Sequence, residues 1–399
     1  MTYKGPMVAA VLLQVLLGQV SAAGACVQVG EDCLDPATKE LRILLGSAIP
    51  DLSVLSQFSA VEKVSLSAEL GFDVLVDLGP LSELPALQSL IIQNIQPVSL
   101  APLADMDGLT FLVLSVPAQV DLSPIAGLVN LRHLGLKGND WLTELPVANL
   151  TGLEGLVIAD TATVSLEPLR GLTELKSLIA FNTLVDDLAP LRDLEAITFL
   201  DMSFTPVHSL EPLGQMSGLQ TLYMKKTQVT SLAGLDGAGA LRELYAEDTP
   251  IADISALSGK AKLEILELQG TAVESLAPLA DAVSLRELTF NGTKVTDLAP
   301  LAGLGSLRDL RFKDTGVTDI SALEGLGGLT GLTLPQARLD LSDLAGLDQV
   351  QVLRVPDLPE VDLTPVLDMA AVDTLWVGVG SDLLVRGKDE IAAFIKGRQ

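Results

Sequence analysis

The sequence predicts an α/β solenoid, an arc with one parallel sheet on its concave side and short 3₁₀ or one-turn helices on its convex side. Three observations predict it. Leucine or isoleucine returns every 22 residues, at 87, 109, 131, 153, 175, 197, 219, 241, 263, 285 and 307, and Leu329 opens the next copy. Within each copy, apolar residues at the fourth and sixth places alternate with variable ones at the third, fifth and seventh, which is the period of a strand with one buried face. The second half of each copy carries helix-start signals. A fixed period of this length is the signature of stacked supersecondary units.

Each copy therefore opens with a short strand. One copy alone cannot bury its leucines, so neighbours stack and every strand pairs with the next. At about 4.8 Å per strand, some fifteen turns give an arc on the order of 70 Å long.

The convex half follows from its capping residues. Ser165, Asp187, Ser209, Asp253, Ser275, Asp297 and Asp319 recur just before an apolar residue, where a side-chain oxygen accepts from an otherwise orphaned N–H two or three residues on. Proline follows at Pro168, Pro190, Pro212, Pro278 and Pro300, within the first turn, where a missing N–H costs little. So few residues remain before the next strand that single turns are expected rather than long helices.

The ninth place holds threonine in eight successive copies: Thr161, Thr183, Thr205, Thr227, Thr249, Thr271, Thr293 and Thr315. A buried hydroxyl there is expected to bond the backbone where the chain leaves the strand. An exposed threonine array would need outward-facing hydroxyls, which this place should not provide.

The copies read LxxLxLxxTxVxSLxPLxxLxx, as in Leu263, Leu266, Leu268, Thr271, Val273, Leu276, Pro278 and Leu279. This resembles the leucine-rich repeat, most closely the 22-residue bacterial type of internalins, over residues 61–377. The early copy opens with Val61, Val64 and Leu66, and the series closes with Val372, Leu375 and Val377. The resemblance implies protein binding by the concave face and leaves the partner unspecified. Internalins that act as anchored adhesins carry further domains and a wall-attachment signal, which are not recognised after these repeats.

The 399 residues divide into four expected parts. Residues 1–25, with Lys4, an apolar stretch from Val8 to Leu17 and small residues at Ser21 to Ala25, read as a secretory signal peptide. Residues 26–60 form an N-terminal cap, with a helix over Lys39 to Leu45 and a disulfide between Cys26 and Cys33, the only two cysteines. Cleavage after Ala25 would leave Cys26 first, which opens a lipid-anchor reading on a poor lipobox. Residues 61–377 are the solenoid. Residues 378–399 are the C-terminal cap, with a short amphipathic helix bearing Asp389 and Glu390 first and Lys396 last. No apolar segment is long enough to span a bilayer. A secreted or periplasmic location follows, with envelope attachment as the alternative.

The net charge is −26, and the bases are scattered, which argues against a nucleic-acid partner. Chemistry is also hard to assemble. His133 and His208, the only histidines, occupy different copies and different places. There is no GxSxG elbow, no metal-ligand spacing and no cofactor motif. No catalytic, metal or cofactor residue is assigned.

The informative residues are those the period leaves free. The outward places at the centre of the sheet carry Phe181, Phe199, Phe204, Tyr223 and Tyr245, with Asp201, Lys225 and Glu247 beside them. Lys226, Glu243, Asp248, Glu267 and Glu287 occupy outward places too. The chain has 9 Phe, 3 Tyr and 2 Trp, so five aromatics in this window exceed what leucine packing requires. Two readings fit: a recognition surface of exposed aromatics rimmed by charge, or aromatics packing on one another to stiffen the sheet. The expected function is an exported, non-catalytic binder of a protein partner through the concave sheet. A structural or lipid-anchored envelope component, or a glycan-binding module, is the alternative.

Overall fold

The computed structural model describes residues 27–29, 32–45, 52–68, 75–378 and 383–398. The segment 1–25 and Cys26 lie outside these, so the signal-peptide reading and the Cys26 end of the Cys26–Cys33 pairing fall outside the described residues.

Among the described residues the dominant element is one sheet of seventeen strands, from Glu40–Leu45 to Leu383–Arg386. All pair in parallel except the last, which returns antiparallel on Thr374–Val377. Among the described residues no pairing joins Glu40–Leu45 to Leu383–Arg386, so the sheet is an open ribbon with an edge strand at each end. The fourth-place leucines lie opposite one another: Leu156, Leu178, Leu200, Leu222, Leu244, Leu266 and Leu288 are consecutive cross-strand partners. Each is fully buried, worth about 1.5–3 kcal/mol of apolar burial. The sixth place completes the inner row, where Phe290 and Phe312 stack at 5.4 Å in the core.

The convex side carries short 3₁₀ turns, among them Glu167–Leu169, Ala189–Leu191, Glu211–Leu213, Ala277–Leu279 and Ala299–Leu301, each with proline in its first two positions. All seven expected capping side chains accept a backbone N–H two residues on. Asp187 accepts from Ala189 at 2.8 Å, Asp319 from Ser321 at 2.9 Å and Ser275 from Ala277 at 3.2 Å. The threonine ladder is equally regular, every hydroxyl donating to the carbonyl three residues back: Thr205 to Met202 at 2.6 Å, Thr271 to Leu268 at 2.7 Å, Thr293 to Phe290 at 2.8 Å. In the copy beginning at Leu131 the buried Asn139 replaces threonine. Its amide accepts from Val116 N–H and donates to the Leu114 and Leu136 carbonyls. The half-buried Trp141 beside it donates to the Val116 carbonyl at 3.4 Å.

One expectation about the ends is corrected and one is met. Lys39 to Leu45 is not a capping helix: Glu40–Leu45 is a strand paired in parallel with Lys63–Ala68. Its sequence alternates, with Leu41, Ile43 and Leu45 buried and Leu44 exposed, and that two-residue period outweighs the polar residues before it. The sheet thus begins one strand earlier than residue 61. At the other end the helix Lys388–Arg398 follows the unanticipated strand Leu383–Arg386. Ile391 and Ile395 are buried, and the acids and bases sit at the ends that complement the helix dipole.

Candidate functional site

The concave face is built by the third, fifth and seventh places of adjacent strands, with the eighth place at its rim. The fifth places form a straight row because register is kept without a slip: Asp201 opposite Tyr223, Tyr223 opposite Tyr245, Tyr245 opposite Glu267, Glu267 opposite Thr289 and Thr289 opposite Arg311. The rings of Tyr223 and Tyr245 stack at 4.1 Å, and Phe199 leans on Tyr223 at 5.7 Å with its plane tilted by 40°.

The expected site residues do not all behave alike. Tyr223 is buried at 6% exposure between Phe199 and Tyr245. Both of those are half-buried, so the aromatics pack on one another and still present a surface. Asp201 is buried at 3%, its carboxylate accepting from Ser203 N–H at 2.9 Å; it closes its own turn and does not rim the face. Lys225 pairs with Glu247 at 3.3 Å. Phe181 is half-buried under Lys137, whose ammonium lies 5.0 Å from the ring centroid. Phe204 is the most exposed of the five aromatics, at 41%, with Lys226 Nζ 5.5 Å from its centroid.

The eighth place holds a feature that sequence reasoning missed. Its residue is left-handed in copy after copy: Asn94, Gly138, Asp160, Asn182, Phe204, Lys226, Asp248, Gly270, Gly292 and Asp314 all have positive φ. The ladder imposes this, because the eighth N–H donates to the seventh carbonyl of the next copy, as Asn182 does to Ser203, Phe204 to Lys225 and Lys226 to Glu247. Asn, Asp and Gly tolerate that conformation. Phe204 (φ 60°) and Lys226 (φ 55°) are the two exceptions, and a bulky side chain there is strained. The run of Asn, Asp and Gly at this place was the available signal.

Electrostatically, the face becomes acidic beyond the aromatics. Glu243, Glu267 and Glu287 stand on three consecutive strands. Tyr245 donates to Glu243 at 3.3 Å, and Thr289 to Glu267 at 3.2 Å. Burial pushes the Glu267 carboxyl up to about 7, with the Glu247 and Glu287 charges adding to it and the Thr289 hydrogen bond and Arg311 opposing. Burial likewise pushes the Tyr245 phenol up to about 12, so it stays a donor.

Register, buried leucine rows and 3₁₀ turns together decide the architecture. The chain has the leucine-rich repeat fold. Solved structures of that fold are similar over most of its length. A leucine-rich repeat protein of Leptospira interrogans aligns with a TM-score of 0.71 at 17% identity, covering 86% of this chain and 89% of that one. An internalin of Listeria monocytogenes aligns with a TM-score of 0.62 at 21% identity, covering 81% and 89%. A plant peptide hormone receptor in complex with RGF2 aligns with a TM-score of 0.61 at 15% identity, covering 88% and 67%. No family model matches the sequence, and no curated protein matches it. Among the described residues, no helix of this leucine-rich repeat chain is long and apolar enough to cross a membrane.

Proposed function

We propose that this is an exported, non-catalytic recognition protein that holds a protein partner against the centre of its concave sheet. The observation that carries the reading is Phe204, an exposed aromatic in a strained conformation at a place where eight of the ten left-handed copies use Asn, Asp or Gly. Strain of this kind costs about 1–3 kcal/mol and persists where it serves a site. The Phe199, Tyr223 and Tyr245 cluster beside it forms a rigid, preorganised platform, which lowers the ordering cost of binding. A complex with RGF2 is known for a plant receptor of the same fold, and it supports recognition as a use of the scaffold. The signal-peptide reading of residues 1–25 supports export.

The test is a pull-down from extracts of the native host with the wild-type chain and the variant Phe204→Asp, Tyr245→Ala. The proposal expects a protein recovered by the wild type and lost by the variant, with the variant still folded by circular dichroism. Equal recovery of every protein by both would remove it.

A further inference from the structure

We propose that the segment bound by the concave face is a basic peptide, with a lysine or arginine side chain seated over Tyr245 among the carboxylates of Glu243, Glu267 and Glu287. This rests on the reading of the concave sheet as the binding face and adds the chemistry of what lies on it.

The geometry begins with the register. Tyr245 has Tyr223 on one side and Glu267 on the other in the fifth-place row. Tyr223 covers one ring face, so the other is directed along the row toward Glu267. Glu243 and Glu287 occupy the third place on the strands either side of Ile265, about 10 Å apart by strand spacing. Glu243 on the ring's own strand and Glu267 on the next thus flank one half-buried aromatic ring, with Glu287 one strand further across Ile265, and a planar guanidinium or an ammonium beside that ring meets both a π face and carboxylate acceptors.

The second observation is how the chain distributes its own cations. Among the described residues, no salt bridge holds Glu243, Glu267 or Glu287, although carboxylates around them are paired: Glu247 with Lys225, Asp309 with Arg311, and Glu264, at the second place of the Glu267 copy, with both Arg242 and Arg286. A positive group from outside answers these carboxylates, whereas an acidic peptide or a phosphate backbone would be repelled.

The site is pH-sensitive for the same reason. The groups facing Glu267 are Tyr245 and Glu243 on the preceding strand, Glu247 just beyond it, Thr289 and Glu287 on the following strand, and Arg311 on the one after. An arriving cation favours ionised Glu267, so binding strengthens as pH rises through about 7 and releases a proton below it.

The experiment is fluorescence anisotropy of the full chain with a labelled decapeptide of alternating glycine and arginine, against the same peptide with neutral citrulline for arginine. Two variants of equal net charge are compared: Glu243→Gln, Glu267→Gln, Glu287→Gln on the concave face, and Glu195→Gln, Glu324→Gln, Glu360→Gln at exposed places elsewhere. The proposal expects citrulline to weaken binding by at least about tenfold and the concave variant to lose about tenfold, the scale of a desolvated charge pair, with the remote variant within about twofold. Single Glu267→Gln should flatten the pH dependence while melting as the wild type or higher. Equal losses in both triple variants would reduce the effect to general attraction to an acidic chain, and no preference for arginine over citrulline would overturn the proposal outright. If the native partner is lost by Phe204→Asp, Tyr245→Ala but kept by the concave glutamine variant, the concave face remains the binding face and the basic peptide is refuted.

Discussion

The rings of Tyr223 and Tyr245 lie parallel within 4° and 4.1 Å apart, because their strands pair with Tyr223 directly opposite Tyr245. Strand spacing in a sheet, about 4.8 Å, is close to the separation at which two rings stack, so this in-register pair is held face to face. Tyr223, covered on both sides, is the structural member of this group. Tyr223→Ala is expected to lower stability by about 2–3 kcal/mol, read as a shift in the urea midpoint, and Phe204→Ala to cause no such loss.

Phe204 makes the opposite prediction. At φ 60° it occupies a conformation that glycine and asparagine hold more readily. Phe204→Asn should therefore raise stability by about 1 kcal/mol while lowering recovery of the partner. A variant less stable than the wild type would mean that the ring is held by packing and that the strain argument is mistaken.

The threonine ladder can be tested without changing volume. Thr271→Val keeps the shape and removes the 2.7 Å hydrogen bond to the Leu268 carbonyl, so it should cost about 1 kcal/mol. The same change at Thr249 and Thr293, two further rungs bonded at 2.7 and 2.8 Å, should cost about as much at each site. An unchanged denaturation midpoint in the triple variant would deny the ladder its role.

Stability should depend on pH in two opposed ways. The Glu267 carboxyl sits at about 7 in the folded chain, above its ordinary 4.5, so its ionised form subtracts from stability above about pH 7 and that loss is relieved as pH falls toward 4.5. Glu267→Gln should raise stability at about pH 8 by on the order of 2 kcal/mol and flatten the slope between. The capping carboxylates of Asp121, Asp253, Asp319, Asp340 and Asp362 are held below 3.8, chiefly by hydrogen bonds from Ser123, Ser255, Ser321, Ser342 and Thr364. Their contribution is present above 3.8 and is lost as pH falls below it. Denaturation midpoints across this range should rise and then fall on acidification.

The architecture was legible because it rests on period alone. Leu156 to Leu310 could be placed in one buried row by counting, and Asp187 or Thr271 could be given a role from its place in the copy. What counting could not provide was the surroundings of each outward residue. Asp201 and Glu267 occupy the same fifth place, yet Asp201 folds back on Ser203 N–H while Glu267 is desolvated between its neighbours. Tyr223 is buried only because aromatic rings flank it. The N-terminal strand Glu40–Leu45 was missed because it lies outside the strict period, although its alternation was present to be read.

The central claim, that the middle of the concave sheet meets a protein partner, is tested most directly by photo-crosslinking in the native host. A photoreactive phenylalanine analogue would replace Phe204 on the concave rim or, in a second chain, exposed Glu324 beside the convex turn Ser321–Leu323. A discrete crosslinked protein from position 204 and none from position 324 is the predicted result; crosslinking from 324 alone, or no adduct from 204 where the protein is abundant, would contradict it.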